Sequence, residues 1–168
     1  MLNRSCATLV EEFGMVVGRR VELAELVGDL EEIVGRIVWS VVSTVDRAGR
    51  PRSRVMHPVW DFDAMTGVVG TRRTPVKVAH LAARPAVSCA YWSPDHDAAF
   101  LDCEASWVDE GELGGAWEEL EKGYDPWGLW PEGAGGGGFA ALRLKPYRVQ
   151  VIRAAALGAG EAVPMWVA

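Results

Sequence analysis

From Val38 onward the apolar residues change rhythm, and that change constrains the fold more than any other feature of the chain. Residues 20 to 37, RVELAELVGDLEEIVGRI, place Leu23, Leu26, Val27, Leu30, Ile33 and Val34 three and four apart, the spacing of one buried helical stripe. The next stretches, VWSVVSTVD, PRSRVMHPVWD and VVGT, are short, extended and rich in β-branched residues, with RAGR and DFDAMTG as turns between them. AVSCAYWS and AAFLDCEASWVD repeat the pattern around PDHD, and FAALRLKPYRVQVIRA closes the series as a strand pair or one bent strand. Helical spacing returns only in TPVKVAHLAAR and in residues 112 to 122. Hairpins at regular intervals with few helices specify an antiparallel β-barrel, not a parallel α/β sheet.

The length of 168 residues suits one compact domain with an appended arm. Residues 1–18 read as that arm and 19–168 as the domain, which carries a Trp- and Gly-rich loop over 123–138. No run of about 18 apolar residues predicts a membrane span, and EEFG interrupts any signal-peptide core after MLNRSCATLV. Cys6, Cys89 and Cys103 are too few and too scattered for a disulfide framework or a zinc site, so a reduced, cytoplasmic protein is expected.

Charge is distributed unevenly. The whole chain carries a formal −6, yet residues 47 to 84 hold eight Lys/Arg against Asp61 and Asp63, a local +6. Within that island, GTRRTPVKVAHLAARP combines several anion-binding devices. Thr74 is an N-cap residue followed by Pro75 at the first helical position, so a helix mouth with free amides opens there. Thr71 adds a hydroxyl, Arg73 a planar fork, and Lys77 an ammonium one turn inside the helix. Arg52 and Arg54 share one face of the preceding strand. If that strand pairs with VVGT, Arg54 lies near the helix mouth. A compact dianion fits this arrangement better than a nucleic acid does, and the overall acidity also disfavours polymer binding.

The segment from about Ile37 to Glu110, with a fainter echo in ALRLKPYRVQV, resembles the pyridoxamine 5'-phosphate oxidase-like family, the FMN-binding split barrels. TVDRAGRPRSR is similar to the family's opening hairpin, HPVWD to its second strand, and the Thr, Pro and Lys of GTRRTPVKVAHLAARP to its phosphate motif. The resemblance implies a mainly β split barrel of about six antiparallel strands in Greek-key order with flanking helices. It implies that Lys77 and Thr71 hold the cofactor phosphate, with Thr74 and Pro75 at the same mouth, Arg54 as a further contact, and Val55, Met56 and His57 along the ring system. It further implies a homodimer with the cofactor at the subunit interface. The C-terminal RAAALGAGEAVPMWVA lacks the true oxidase's substrate-binding residues, so vitamin B6 oxidation is not expected. The related flavin/deazaflavin oxidoreductases use FMN or F420, and the expected activity is hydride or electron transfer to or from a small organic substrate.

Eight tryptophans punctuate the chain. Trp39, Trp92 and Trp107 fall in strands and read as core or interface packing. Trp127 and Trp130 occupy YDPWGLWPEG, either as a lid over a flat ligand or as pins that fix the loop to the surface; Trp60 is placed in the same pocket. His57, His80 and His96 show no metal-ligand spacing, His80 reading as a helix-surface residue and His96 as a turn residue. Cys89 and Cys103 read as buried small groups in neighbouring strands. No catalytic acid, base or nucleophile is identified, as suits chemistry carried by a cofactor. The rival class is a binding module that holds flavin or haem without turnover.

Overall fold

In the computed structural model residues 18–168 are described, so the arm expected over 1–18 lies outside them save for Gly18. A two-residue strand β1 (Arg19–Arg20) and a 3-10 turn (Leu23–Glu25) precede helix α1 (Val27–Ile37), which therefore starts later than its apolar spacing predicts. The Glu25 carboxylate accepts the Glu22 N–H at 3.2 Å and starts the tighter turn. Six strands of six residues or more follow: β2 (Ser40–Val45), β3 (Pro51–Met56), β5 (Thr66–Thr71), β6 (Ala86–Trp92), β7 (Ala98–Trp107) and β8 (Ala140–Ile152). Short strands β4 (Val59–Asp61) and β9 (Pro164–Val167), with helices α2 (Pro75–Ala83), α3 (Leu113–Glu121) and α4 (Ala154–Gly158), complete the chain.

The strands run β1-β9-β8-β7-β6-β2-β3, all antiparallel except β1 with β9, while β5 pairs with β4 and β8. Strand β8 is the spine. Its first half lies between β7 and β5, its second half between β7 and β9, and this division opens the barrel. Two residues of β8, Pro146 and Arg148, face Cys103 and Asp102, leaving Tyr147 as a bulge. Pro146 is tolerated in so long a strand because the bulge removes the need for its missing N–H. The closing segment is thus one bent strand, and α4 and β9 beyond it are additions that the apolar pattern does not predict.

Pairing corrects one expectation. Strand β3, which carries Arg52 and Arg54, pairs along its length with β2 and not with β5. The break at His57–Pro58 separates β3 from β4, because proline cannot donate to the ladder.

Two apolar clusters hold the layers together. The larger joins Leu26, Leu30 and Ile33 of α1 to the inward rows of β2, β6, β7 and β8, including Tyr91, Leu101 and Val149. The smaller lies under α3 and gathers Val68, Trp117, Leu120, Trp130, Phe139 and Ala141. Cys89 and Cys103 are both fully buried, on neighbouring strands, as expected. The outward face is different. Val55, Val41, Ala90 and Phe100 follow one another in register across β3, β2, β6 and β7, and Val41 and Val55 are exposed. Trp39 and Trp92, expected in core or interface, are 53% and 60% exposed and so belong to no core within the chain.

A charged knot ties α1 to the far end of the sheet. Asp97 accepts Arg36 at 2.8 Å, Arg153 at 3.0 Å and the Ala154 N–H at 2.9 Å, and Arg153 also bonds Asp29 at 2.5 Å. The backbone donor from Ala154, followed by the two guanidinium groups, holds the Asp97 carboxyl below its usual pKa. A carboxylate with a depressed folded-state pKa contributes stability above its unfolded pKa of about 3.9 and loses it as pH falls through the folded value. Asp97→Ala should therefore cost about 1–2 kcal/mol at neutral pH in urea unfolding, with the gap from wild type closing in acid.

Candidate anion and cofactor site

Helix α2 forms because Thr74 is extended and caps it, its hydroxyl taking the Lys77 N–H at 3.4 Å, while Pro75 pre-sets the first turn. Pro75 has no N–H and Val78 already bonds the Thr74 carbonyl, so the Val76 amide is the one first-turn donor without a hydrogen-bond partner among the described residues. Lys77, only 9% exposed, turns back to this mouth and donates its ammonium to Thr71 Oγ1. Thr71 is the last residue of β5 and is itself buried. The helix mouth, the hydroxyl and the ammonium are therefore brought together as the spacing predicts.

Arg54 reaches the same place by a different route. Its guanidinium donates to Thr44 Oγ1 on β2 at 2.9 Å, and β2 is the strand against which α2 packs. Burial, then the Arg54 and Arg72 charges, lower the Lys77 pKa from its ordinary value. Burial and Arg52 lower that of Arg54. Among the described residues no carboxylate lies within 4 Å of Arg52, Arg54, Arg72, Arg73 or Lys77, although Arg19, Arg36, Arg50, Arg143, Arg148 and Arg153 make ten cation–carboxylate pairs elsewhere. Like charges half-removed from water with no internal counter-ion repel each other, and a bound anion relieves that repulsion. A phosphate group fits this donor set: two cations, a hydroxyl and the Val76 amide at the helix mouth.

Arg73 stands apart. Its guanidinium lies over the Trp107 ring, 4.9 Å from the centroid, and with Arg72 it lines a cavity of about 540 Å³ under glycines 135–138. Arg72, not predicted, is the nearer of the two to Lys77 in electrostatic effect.

Immediately after Arg54 on β3, Val55 is exposed and Met56 packs on the main core, and just past the strand His57 stacks on Tyr124 with ring centroids 4.4 Å apart and an interplanar angle of 24°. The Trp39 ring is tilted to His57 at 5.3 Å. Burial lowers the His57 pKa, so the imidazole is neutral at pH 7, and it raises the Tyr124 phenol to about 12. Below these rings, His57, Pro58, Val59, Trp60 and Phe62 line a cavity of about 270 Å³ that Val38 also borders. Val38 has φ +66° and ψ −58°, a strained γ-turn for a β-branched residue. Strain of this kind gathers at ligand sites.

The three tryptophans grouped by sequence do not share one pocket. Trp60 donates Nε1 to Tyr91 at 2.8 Å and lies flat on Gly67, where a Cβ would come within 2.6 Å of its ring. Trp130 is buried in the smaller core against Gly70 and Phe139, and borders a separate cavity with Arg72. Trp127 is half-exposed, edge-on to Trp117, and bonded to Glu121 at 3.2 Å. The loop is pinned by its own tryptophans. Only its beginning, at Gly123 and Tyr124, reaches the His57 cavity.

His80 is also corrected. It is buried, with Nδ1 2.9 Å from Thr44 Oγ1, because it shares the inward face of α2 with Lys77 and Leu81 at helical spacing. That three-residue pattern was the available signal. His96 occupies the expected turn, with φ +69°.

No family model matches the chain, and no curated protein matches it. Solved structures do. A protein related to general stress protein 26, of the pyridoxinephosphate oxidase family, from Clostridium acetobutylicum superposes with a TM-score of 0.67 at 13% identity, over 80% of this chain and 92% of that one. A pyridoxamine 5'-phosphate oxidase-related, FMN-binding protein from Nostoc punctiforme gives 0.61 at 16% identity, over 78% and 86%. A heme binding protein from Mycobacterium smegmatis also gives 0.61 at 16%, over 80% of this chain but 55% of that one. The fold is that of the FMN-binding split barrels, in agreement with the resemblance read from the residues.

Because Lys77 is a desolvated cation among cations, its removal should not harm the empty protein. Lys77→Met is expected to leave the melting temperature unchanged or higher without anion, and to abolish most of the stabilisation that phosphate gives the wild type. Thermal melts with and without phosphate measure both.

Proposed function

We propose that the protein is a flavin-dependent oxidoreductase that binds FMN, with F420 as the alternative, and exchanges hydride or electrons with a small organic substrate. The observation that carries this reading is the buried Lys77–Thr71 pair beside Arg54 at the mouth of α2, without an internal counter-ion. Lys77, Thr71 and Arg54 would hold the phosphate, and Thr74 and Pro75 would keep the helix mouth in place. Among the described residues strand β3 is paired on one side only, by β2, so the backbone near Val55, Met56 and His57 would offer polar groups to the heteroatoms of a ring system. A bound flavin supplies the hydride chemistry, which agrees with the absence of an identified catalytic acid.

The substrate would enter the cavity of His57, Trp60 and Phe62, whose walls favour an apolar, flat molecule. Trp127 and Trp130 have no part in this proposal beyond fixing the loop. The apolar row of Val55, Val41, Ala90 and Phe100, with Trp39 and Trp92 beside it, supports a homodimer in which a second copy covers this face and closes the cofactor site. A non-catalytic flavin or haem module is the second reading, favoured by His57, which lies against two rings and makes no hydrogen bond among the described residues.

The absorbance spectrum of protein purified from a host that makes FMN, F420 and haem separates these readings. Reoxidation of the reduced holoprotein by quinones or enones, compared with free cofactor, then tests for turnover. Lys77→Ala should weaken FMN binding roughly ten- to a hundredfold, the worth of a charge-assisted hydrogen bond, in fluorescence titration. Affinity should also pass through a maximum with pH. It rises as the phosphate takes its second charge near about pH 6. It falls again as Lys77 deprotonates, at lower pH than an ordinary lysine of pKa about 10.4, because its own pKa is depressed.

A further inference from the structure

Behind the anion site lies a second layer of polar side chains that the sequence pattern hides. Thr44 and His80 are 3% and 7% exposed, deeper than Arg54, and belong to no other polar network. Thr44 Oγ1 lies 2.9 Å from an Arg54 Nη and 2.9 Å from His80 Nδ1. A guanidinium can only donate, so Thr44 accepts from Arg54, and the same hydroxyl oxygen pairs with His80 Nδ1, as donor or acceptor according to the imidazole tautomer.

The arrangement solves a mechanical problem. Arg54 and Lys77 repel each other, and in an empty site a free guanidinium would swing into solvent. We propose that Thr44 and His80 are positioning residues for the phosphate clamp: the buried His80–Thr44 pair anchors Arg54 beside Lys77, so that both cations face the helix mouth before an anion arrives. The group that takes the Arg54 bond is an uncharged hydroxyl, and this is its advantage. A carboxylate in Thr44's place would hold Arg54 equally well but would cancel its charge, whereas a hydroxyl backed by imidazole fixes geometry and leaves the charge for the ligand. The inference rests on the cofactor reading above, and goes beyond it in assigning roles to two residues that touch no ligand.

The test is a double-mutant cycle on the full chain with FMN and inorganic phosphate as probes. Thr44→Val removes the anchor with little change in shape; it should weaken both ligands roughly two- to tenfold, and Thr44→Ser should restore them. Arg54→Ala should weaken them further. The decisive result is the Thr44→Val/Arg54→Ala double variant, which should bind no more weakly than Arg54→Ala alone, since an anchor has no effect once its arm is gone. Additive losses would mean that Thr44 acts on the fold in general, and would overturn the proposal. If Thr44→Val does not melt cooperatively, the same cycle is run with His80→Leu, for which non-additivity supports the proposal and additivity overturns it. Wild type that binds neither probe overturns the cofactor reading and this one together. Wild type that binds, with Thr44→Val unchanged, overturns this one alone.

Discussion

An ammonium buried beside a second cation, with a hydroxyl but, among the described residues, no carboxylate for company, is an expensive arrangement, and the local structure is built to keep it. Lys77 is held to Thr71, the last residue of a strand that cannot move without disturbing both cores. Arg54 is held to Thr44 inside the sheet. The chain has acids in plenty, and it pairs Arg36, Arg143, Arg148 and Arg153 with them elsewhere. Among the described residues none of them reaches this mouth, which leaves the local field positive inside a protein of net charge −6. A positive field of this kind favours an anion over a neutral ligand.

The rest of the barrel follows from the need to bring Thr71, Thr44 and the first turn of α2 to one point. Three separate segments deliver them: β5 supplies the hydroxyl, β2 the anchor, and α2 the ammonium, and β8 ties β5 to the remaining sheet. Three residues beyond Arg54 the environment turns aromatic and apolar, with the rings of Trp39 and Tyr124 both against His57. The short run from Arg54 to His57 thus passes from a charged surrounding to an aromatic one.

Much of this was legible in the sequence, and the losses have definite causes. The helix mouth was legible because Thr74, Pro75 and Lys77 act within one turn, where spacing and geometry are almost the same thing. Strand limits were legible from turn residues. What failed was pairing. Which strand lies beside which depends on contacts distant in sequence, so Arg54 was placed near the mouth through β5 when it arrives through β2. His80 was mistaken for a surface residue because a polar side chain on a helix is usually wet; its burial comes from the inward row it shares with Lys77 and Leu81. The shared residue type of Trp60, Trp127 and Trp130 suggests one pocket, yet Trp60 packs on the larger core, Trp130 is buried in the smaller and Trp127 is half-exposed.

Strand β5 is held in place from both sides. Gly67 admits the face of Trp60 on one side, and Gly70 admits Trp130 and Leu120 on the other, with an added Cβ meeting ring carbons at 2.6 and 2.8 Å. The strand is clamped between two aromatic plates and leaves no room for a methyl group at either position. Any side chain at these two positions must displace a ring packed in a core, so the path of β5 up to Thr71 is set jointly by Trp60 and Trp130, each delivered by a segment distant from the helix mouth.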